Sequence, residues 1–224
     1  MKLAIFDVDG TLVDSKAMIL ASMQSAFAAE GLVVPDRKTA LSIVGLSLAD
    51  AMRALVPGAD EARIARLADA YKHAFWQNRT AGEHPEDLFD GALNLLTRLR
   101  SRGDVVLGIA TGKSRRGISH VIEKHGFEGW FSTIQTADDH PSKPHPSMIV
   151  TALSETGLPQ QAAIMIGDTS FDIEMARSAG VGAAAVSWGN HHVDELQRAG
   201  AHTIANDFNE LERQLDSLWQ ERPT

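Results

Sequence analysis

Apolar and polar positions along the chain change period twice, near Asp14 and again near Pro85. Before the first change stands a short apolar run, Leu3-Ala4-Ile5-Phe6, too brief for a helix and predicted to be a buried strand. From Asp14-Ser15 onward the period is helical. Ile19, Met23, Ala26 and Phe27 predict a helix over 16–30, terminated by Gly31. Asp36 opens a second helical segment that runs to Ile43-Val44 and breaks at Gly45-Leu46. Ser47-Leu48-Ala49-Asp50 has the form of a capping box with Asp in place of Glu, and starts a short helix ended by Pro57-Gly58. Asp60 to Arg79 then carries Ile64, Leu67, Ala68, Tyr71 and Phe75 on one face. Residues 15–84 thus read as an all-helical block without a strand.

After the loop Ala81-Gly82-Glu83-His84-Pro85 the pattern alternates. Helices are expected over 91–102 (Leu93, Leu96 and Leu99 inward), 115–125, 147–156, 172–179, 193–199 and 207–219. Between them strands are expected at the apolar runs 105–110, 162–166 and 182–187, with a short one near 131–136 and a weak one at 202–205. Strand and helix in alternation imply a parallel sheet with helices on both faces. The economical arrangement is an α/β domain built from 1–14 and 85–224, with residues 15–84 inserted as a mobile lid.

Composition narrows the function. The 224 residues can bury a full core, and 21 Lys plus Arg against 29 Asp plus Glu leave a net charge of −8. That balance argues against nucleic acid or an anionic membrane as partner, and means that a phosphate-bearing substrate needs local positive charge. With no Cys, disulfides and thiolate metal sites are excluded. The N-terminal run is too short for a signal peptide and no later stretch is long enough to span a bilayer, so a cytoplasmic location is the default.

The chemistry gathers at strand ends. Asp7 and Asp9 follow the first strand, and Gly10 lets the chain turn beyond them. Two carboxylates at about 4 Å repel by roughly 4 kcal/mol at an effective dielectric of about 20, so a proton or a cation must intervene. A protonated Asp9 is a general acid, and an ionised Asp7 is a nucleophile or a ligand for a hard cation such as Mg²⁺. An Asp-x-Asp-Gly turn is the plainer alternative. A calcium loop is not, since its twelfth position would be Met18 instead of Glu. Parallel strands bring their carboxyl ends to one edge. Thr111 and the Gly112 amide can donate to an anionic oxygen there, though Thr before a helix is commonly an N-cap. Lys143 sits in the stiff segment Ser142-Lys143-Pro144-His145-Pro146, and Asp168 and Asp172 add two more acids. Four acids offset by Lys143 alone call for a divalent cation. The His residues show no ligand spacing and read as surface groups; the Trp and Met residues read as packing.

In order and spacing, Phe6-Asp-Val-Asp-Gly-Thr-Leu-Val-Asp-Ser15, Thr111-Gly112, Ser142-Lys143-Pro144 and Gly167-Asp168-Thr-Ser-Phe-Asp172 resemble the four motifs of the haloacid-dehalogenase-like hydrolases. The chain looks most similar to the phosphoglycolate-phosphatase-type branch, whose helical cap follows the first motif. The resemblance implies a Rossmann-like core of strand order 5-4-1-2-3 and a phosphatase acting on a small phosphate monoester, phosphoglycolate-like or a sugar phosphate. It makes Asp7 the nucleophile that becomes an aspartyl phosphate and Asp9 the acid and base. Mg²⁺ would be held by Asp7, the Asp9 carbonyl, Asp168 and Asp172. Thr111, Gly112 and Lys143 would bind the phosphoryl oxygens, and Gly45-Leu46-Ser47 with Arg79 would face the substrate from the cap. A phosphomutase is the rival within the family; a phospho-signalling module is the rival outside it, but is much shorter. A monomer or a homodimer is expected.

Overall fold

The N-terminal apolar run forms strand β1 (Lys2–Phe6), and Leu3 to Phe6 are fully buried in the structure, a computed structural model that describes residues 1–222. Burial on both faces is the signature of a central parallel strand. Leu3 and Ile5 enter an apolar layer with Met148, Ile149, Ile173 and Leu196; Ala4 and Phe6 enter the opposite layer with Leu95, Leu99, Ile118 and Leu215.

The other strands are β2 (Val13–Asp14), β3 (Asp87–Leu88), β4 (Val105–Thr111), β5 (Thr133–Thr136), β6 (Ala163–Gly167), β7 (Gly182–Val186) and β8 (Thr203–Ala205). The helices are α1 (Lys16–Ala29), α2 (Arg37–Leu41), α3 (Leu48–Leu55), α4 (Glu61–Ala81), α5 (Ala92–Ser101), α6 (Arg115–His125), α7 (Ser147–Thr156), α8 (Ser170–Ser178), α9 (Val193–Arg198) and α10 (Phe208–Glu221). Six strands pair in parallel in the order β5-β4-β1-β6-β7-β8. Taken in chain order from β1, the core strands follow the expected 5-4-1-2-3, with β8 added at one edge. Helices α5, α6 and α10 cover one face and α7, α8 and α9 the other.

Helices α1 to α4 share an apolar cluster of their own, built on Met23, Phe27, Met52, Ile64 and Leu67. No strand interrupts residues 15–84, but a two-stranded antiparallel ladder closes them off. Val13 pairs with Leu88 and Asp14 with Asp87. Among the described residues no helix is long and apolar enough to cross a membrane.

Three local expectations are corrected. Leu93 is 46% exposed, because the buried stripe of α5 runs through Leu95, Leu96 and Leu99. Helix α2 stops at Leu41, short of Val44, and the next carbonyl, that of Ser42, bonds His191 Nε2 at 3.1 Å. The capping box at Ser47 is only half made. Its Oγ accepts from the Asp50 amide at 3.4 Å, while its own N–H donates to Ser142 Oγ at 2.8 Å, tying this loop to the α/β part.

Candidate active site

The turn after β1 is tight: the amides of Thr11, Leu12 and Val13 all bond the Val8 carbonyl, and Gly10 takes φ +84°. A Cβ at Gly10 would lie 2.2 Å from Asp168 Oδ2, so the glycine is what lets the β1 and β6 loops meet. The Asp7 amide still bonds Ile166 O at 2.9 Å, which holds the side chain at the sheet edge.

Asp7, Lys143, Asp168 and Asp172 are all buried there. Lys143 Nζ lies 3.0 Å from Asp7 Oδ1 and 2.6 Å from Asp172 Oδ1. Asp172 Oδ2 completes a reciprocal capping box at α8, accepting from the Thr169 amide (3.1 Å) and hydroxyl (2.7 Å). Asp168 accepts from Thr11 Oγ1 (2.8 Å) on one oxygen and from the Asn190 amide (2.7 Å) and Nδ2 (2.9 Å) on the other. Asn190 gave no signal in the sequence, being one polar residue in a loop after β7.

Burial dominates the electrostatics. It pushes the Asp7 carboxyl up to about 8, Lys143 only partly opposing it while Asp172, Asp168 and Asp9 reinforce it. Asp168 is pushed up to about 7 by burial and by Asp172. Burial would lower the Lys143 pKa, but Asp172 and Asp7 outweigh it and the ammonium is held well above its ordinary range.

These groups suit a hard cation. One oxygen each from Asp7, Asp168 and Asp172 lie within 4.8 Å of one another. Asp7 Oδ2 is buried without a hydrogen-bond partner, and Oδ1 meets Lys143 as an ion pair without hydrogen-bond alignment. An orphaned carboxylate oxygen in an all-oxygen set matches Mg²⁺. The Asp9 carboxylate stands outside this trio and faces Lys113 Nζ at 2.8 Å.

Asp7 and Asp9 border a cleft of about 610 Å³ between the sheet edge and the helical block. Thr111 and Gly112 line it. Thr111 does not cap α6; that place belongs to Ser114, whose Oγ accepts from the Gly117 amide. Thr111 Oγ1 accepts from the Lys113 amide at 3.1 Å and keeps its own proton to donate. Gly112 lies against the helical block: a Cβ there would sit 2.7 Å from the carbonyl oxygens of both Gly45 and Leu46. Gly45 itself, at φ +102°, borders the cleft and packs toward Thr169.

Several residues carry more than their sequence context suggested. Glu86, 3% exposed, accepts from Lys113 Nζ at 3.0 Å and from Arg79 Nε and Nη2 at 2.9 and 2.6 Å. Burial works against its charge, yet Lys113 and Arg79 hold its pKa below the ordinary value. Arg79 thus borders the cleft with its guanidinium held by Glu86, and Asp9 has a cation of its own in Lys113, whose pKa is raised by Asp9 and Glu86 against the effect of burial. Lys113, directly after Thr111-Gly112, was given no role from the sequence, and Glu86, between Pro85 and Asp87, had no signal at all. Tyr71, Phe75 and Trp76 line the cleft instead of serving only as packing. His191 is buried: Nδ1 accepts from the Ser170 amide, so the proton sits on Nε2 and bonds the Ser42 carbonyl.

Residues 4–186 match the family model described as haloacid dehalogenase-like hydrolase. The chain is 32% identical over 213 residues to "Probable phosphatase IndB" of Dickeya dadantii, covering 93% of this chain and 91% of that one. It is 32% identical over 189 residues to pyrophosphatase PpaX of Bacillus pumilus, covering 82% of each. Among solved structures, a predicted phosphatase from Clostridium acetobutylicum superposes with a TM-score of 0.86 at 26% identity, covering 96% of this chain and 98% of that one.

Proposed function

The chain belongs to the haloacid dehalogenase-like hydrolases, and on that footing we propose that it is a Mg²⁺-dependent phosphatase which hydrolyses a small phosphate monoester through an aspartyl phosphate on Asp7. The observation that carries this reading is the Asp7 carboxylate, which borders the cleft with an unpartnered oxygen while Lys143, Asp168 and Asp172 crowd behind it. In the first step an Asp7 oxygen bonds to phosphorus, the ester P–O bond breaks, and Asp9 gives its proton to the departing alkoxide. In the second, Asp9 takes a proton from water as the water oxygen bonds to phosphorus, and the Asp7 carboxylate leaves. Thr111 Oγ, the Gly112 amide and Lys143 stabilise the equatorial oxygens on the five-coordinate phosphorus. Mg²⁺, held by Asp7, Asp168, Asp172 and the Asp9 carbonyl, would offset phosphoryl charge and let a carboxylate approach it.

Residues 15–84 act as the cap in this reading. The contacts of Gly45 and Leu46 with Gly112, and of Ser47 with Ser142, support a closed lid that keeps bulk water from the intermediate.

Asp7→Asn is expected to abolish phosphate release from p-nitrophenyl phosphate with the circular dichroism spectrum unchanged. Acid-quenched wild-type enzyme should gain the mass of one phosphoryl group, and the variant should not. Wild-type turnover by the variant would refute the nucleophile.

A further inference from the structure

We propose that the inner half of the cleft accepts an uncharged alcohol with an apolar, ring-sized face, and turns away substrates with a second anion close to the ester oxygen; this rests on the phosphatase reading of Asp7. Tyr71, Phe75 and Trp76 of α4 border the cleft, and Ile19 and Met23 of α1 continue the same wall. The Tyr71 and Phe75 rings lie 5.8 Å apart, and Trp76 is 50% exposed. Tyr71 and Phe75 are packed into the apolar clusters of the helical block on one side and border the cleft on the other, so the wall offers a ligand a supported apolar face.

The charges point the same way. Lys143 is matched by Asp7 and Asp172, Lys113 by Asp9 and Glu86, and Arg79 by Glu86. A carboxylate or phosphate next to the ester oxygen would have to break one of these pairs. Among the described residues, the cations bordering the cleft without a buried carboxylate partner are Lys72 and Arg116, both exposed. A charge on the substrate is therefore met at the mouth and not beside phosphorus. The two paired cations Arg79 and Lys113 lie 4.9 and 5.3 Å from the Phe75 ring centroid, which fixes that ring in the wall.

Phenethyl phosphate and ethyl phosphate share a primary alkoxide leaving group, so their kcat/KM ratio reads the apolar contact apart from the chemistry. With Mg²⁺ in the buffer, phenethyl phosphate is expected to exceed ethyl phosphate, phosphoglycolate and pyrophosphate by at least about tenfold. Phe75→Ala and Trp76→Ala should each reduce the phenethyl-to-ethyl ratio, the half-exposed Trp76 serving where Phe75→Ala fails to fold. A wild-type ratio near one, a preference for phosphoglycolate or pyrophosphate, or a ratio unmoved by Trp76→Ala overturns the assignment. Hydrolysis of p-nitrophenyl phosphate by the wild type and not by Asp7→Asn keeps the phosphatase reading in those cases; release of phosphate from no ester brings both down.

Discussion

Asp7 and Tyr71 border one cleft, yet they stand on supports of different kinds. Asp7 belongs to an edge where Lys143, Asp168 and Asp172 are buried and each has charged or hydrogen-bonding partners from other loops. Tyr71 belongs to a wall held by apolar packing within the helical block, whose neighbours toward the cleft are Phe75 and the α1 side chains. Low dielectric makes the edge unforgiving, since a buried charge that loses its partner keeps its full desolvation cost. The wall obeys a gentler rule in which area lost is energy lost in proportion. Chemistry is thereby fixed on one side while the other can change with the alcohol.

The sharpest way to break this contrast is Lys143→Met. It leaves Asp7 and Asp172 facing each other without their cation, and a cost of about 3–5 kcal/mol in chemical denaturation is expected, with turnover lost. A cost under about 1 kcal/mol would show that the edge is no more coupled than the wall. Mg²⁺ tests the same edge through pH. Because the Asp7 carboxyl is raised from 3.8 to about 8, the metal-free fold has this group's stabilising contribution below pH 4 and loses it as pH rises toward 8. The cation must displace that proton, so its affinity should fall by up to roughly tenfold per pH unit between 8 and 7, and more steeply below 7, where Asp168 must also lose a proton; the rise in Tm that it causes should shrink with it. A shift in Tm equal at pH 6 and pH 8 would remove burial of Asp7 as the governing effect. Glu86→Gln probes the bridge between the two regions, because Glu86 joins Arg79 of α4 to Lys113 of the edge. A loss of about 1–3 kcal/mol is expected from leaving two cations short of their carboxylate, read by denaturation.

The centre of the sheet was legible because β1, β4, β6 and β7 are near-continuous apolar runs, a pattern that needs no tertiary knowledge. The acids at the strand ends were legible for a related reason: a charge that closes an apolar run has few places to go. Asp172 and Lys143 were found as candidates, but their mutual pairing at 2.6 Å depends on two loops meeting and leaves no trace in either. Glu86, Asn190 and His191 were missed on the same ground, each acting on a partner far along the chain. Phe75 and Tyr71 were placed on one face with Ile64 and Leu67, and nothing in the sequence parts them, because a helical stripe facing a cleft and one facing a neighbouring helix have one periodicity. Leu93 shows the reverse error, an apolar residue one step off the buried stripe of α5.

The ladder between β2 and β3 has a further consequence. Topologically the helical block is the loop of a β-hairpin, entered at Asp14 and left at Asp87 across one rung. Loop-closure entropy grows only with the logarithm of length, so the hairpin is nearly indifferent to how much chain it encloses. A module seated in this way can be lengthened, shortened or exchanged for another while the strands beneath it keep their register, which lets new selectivity be grafted onto an unaltered reaction centre.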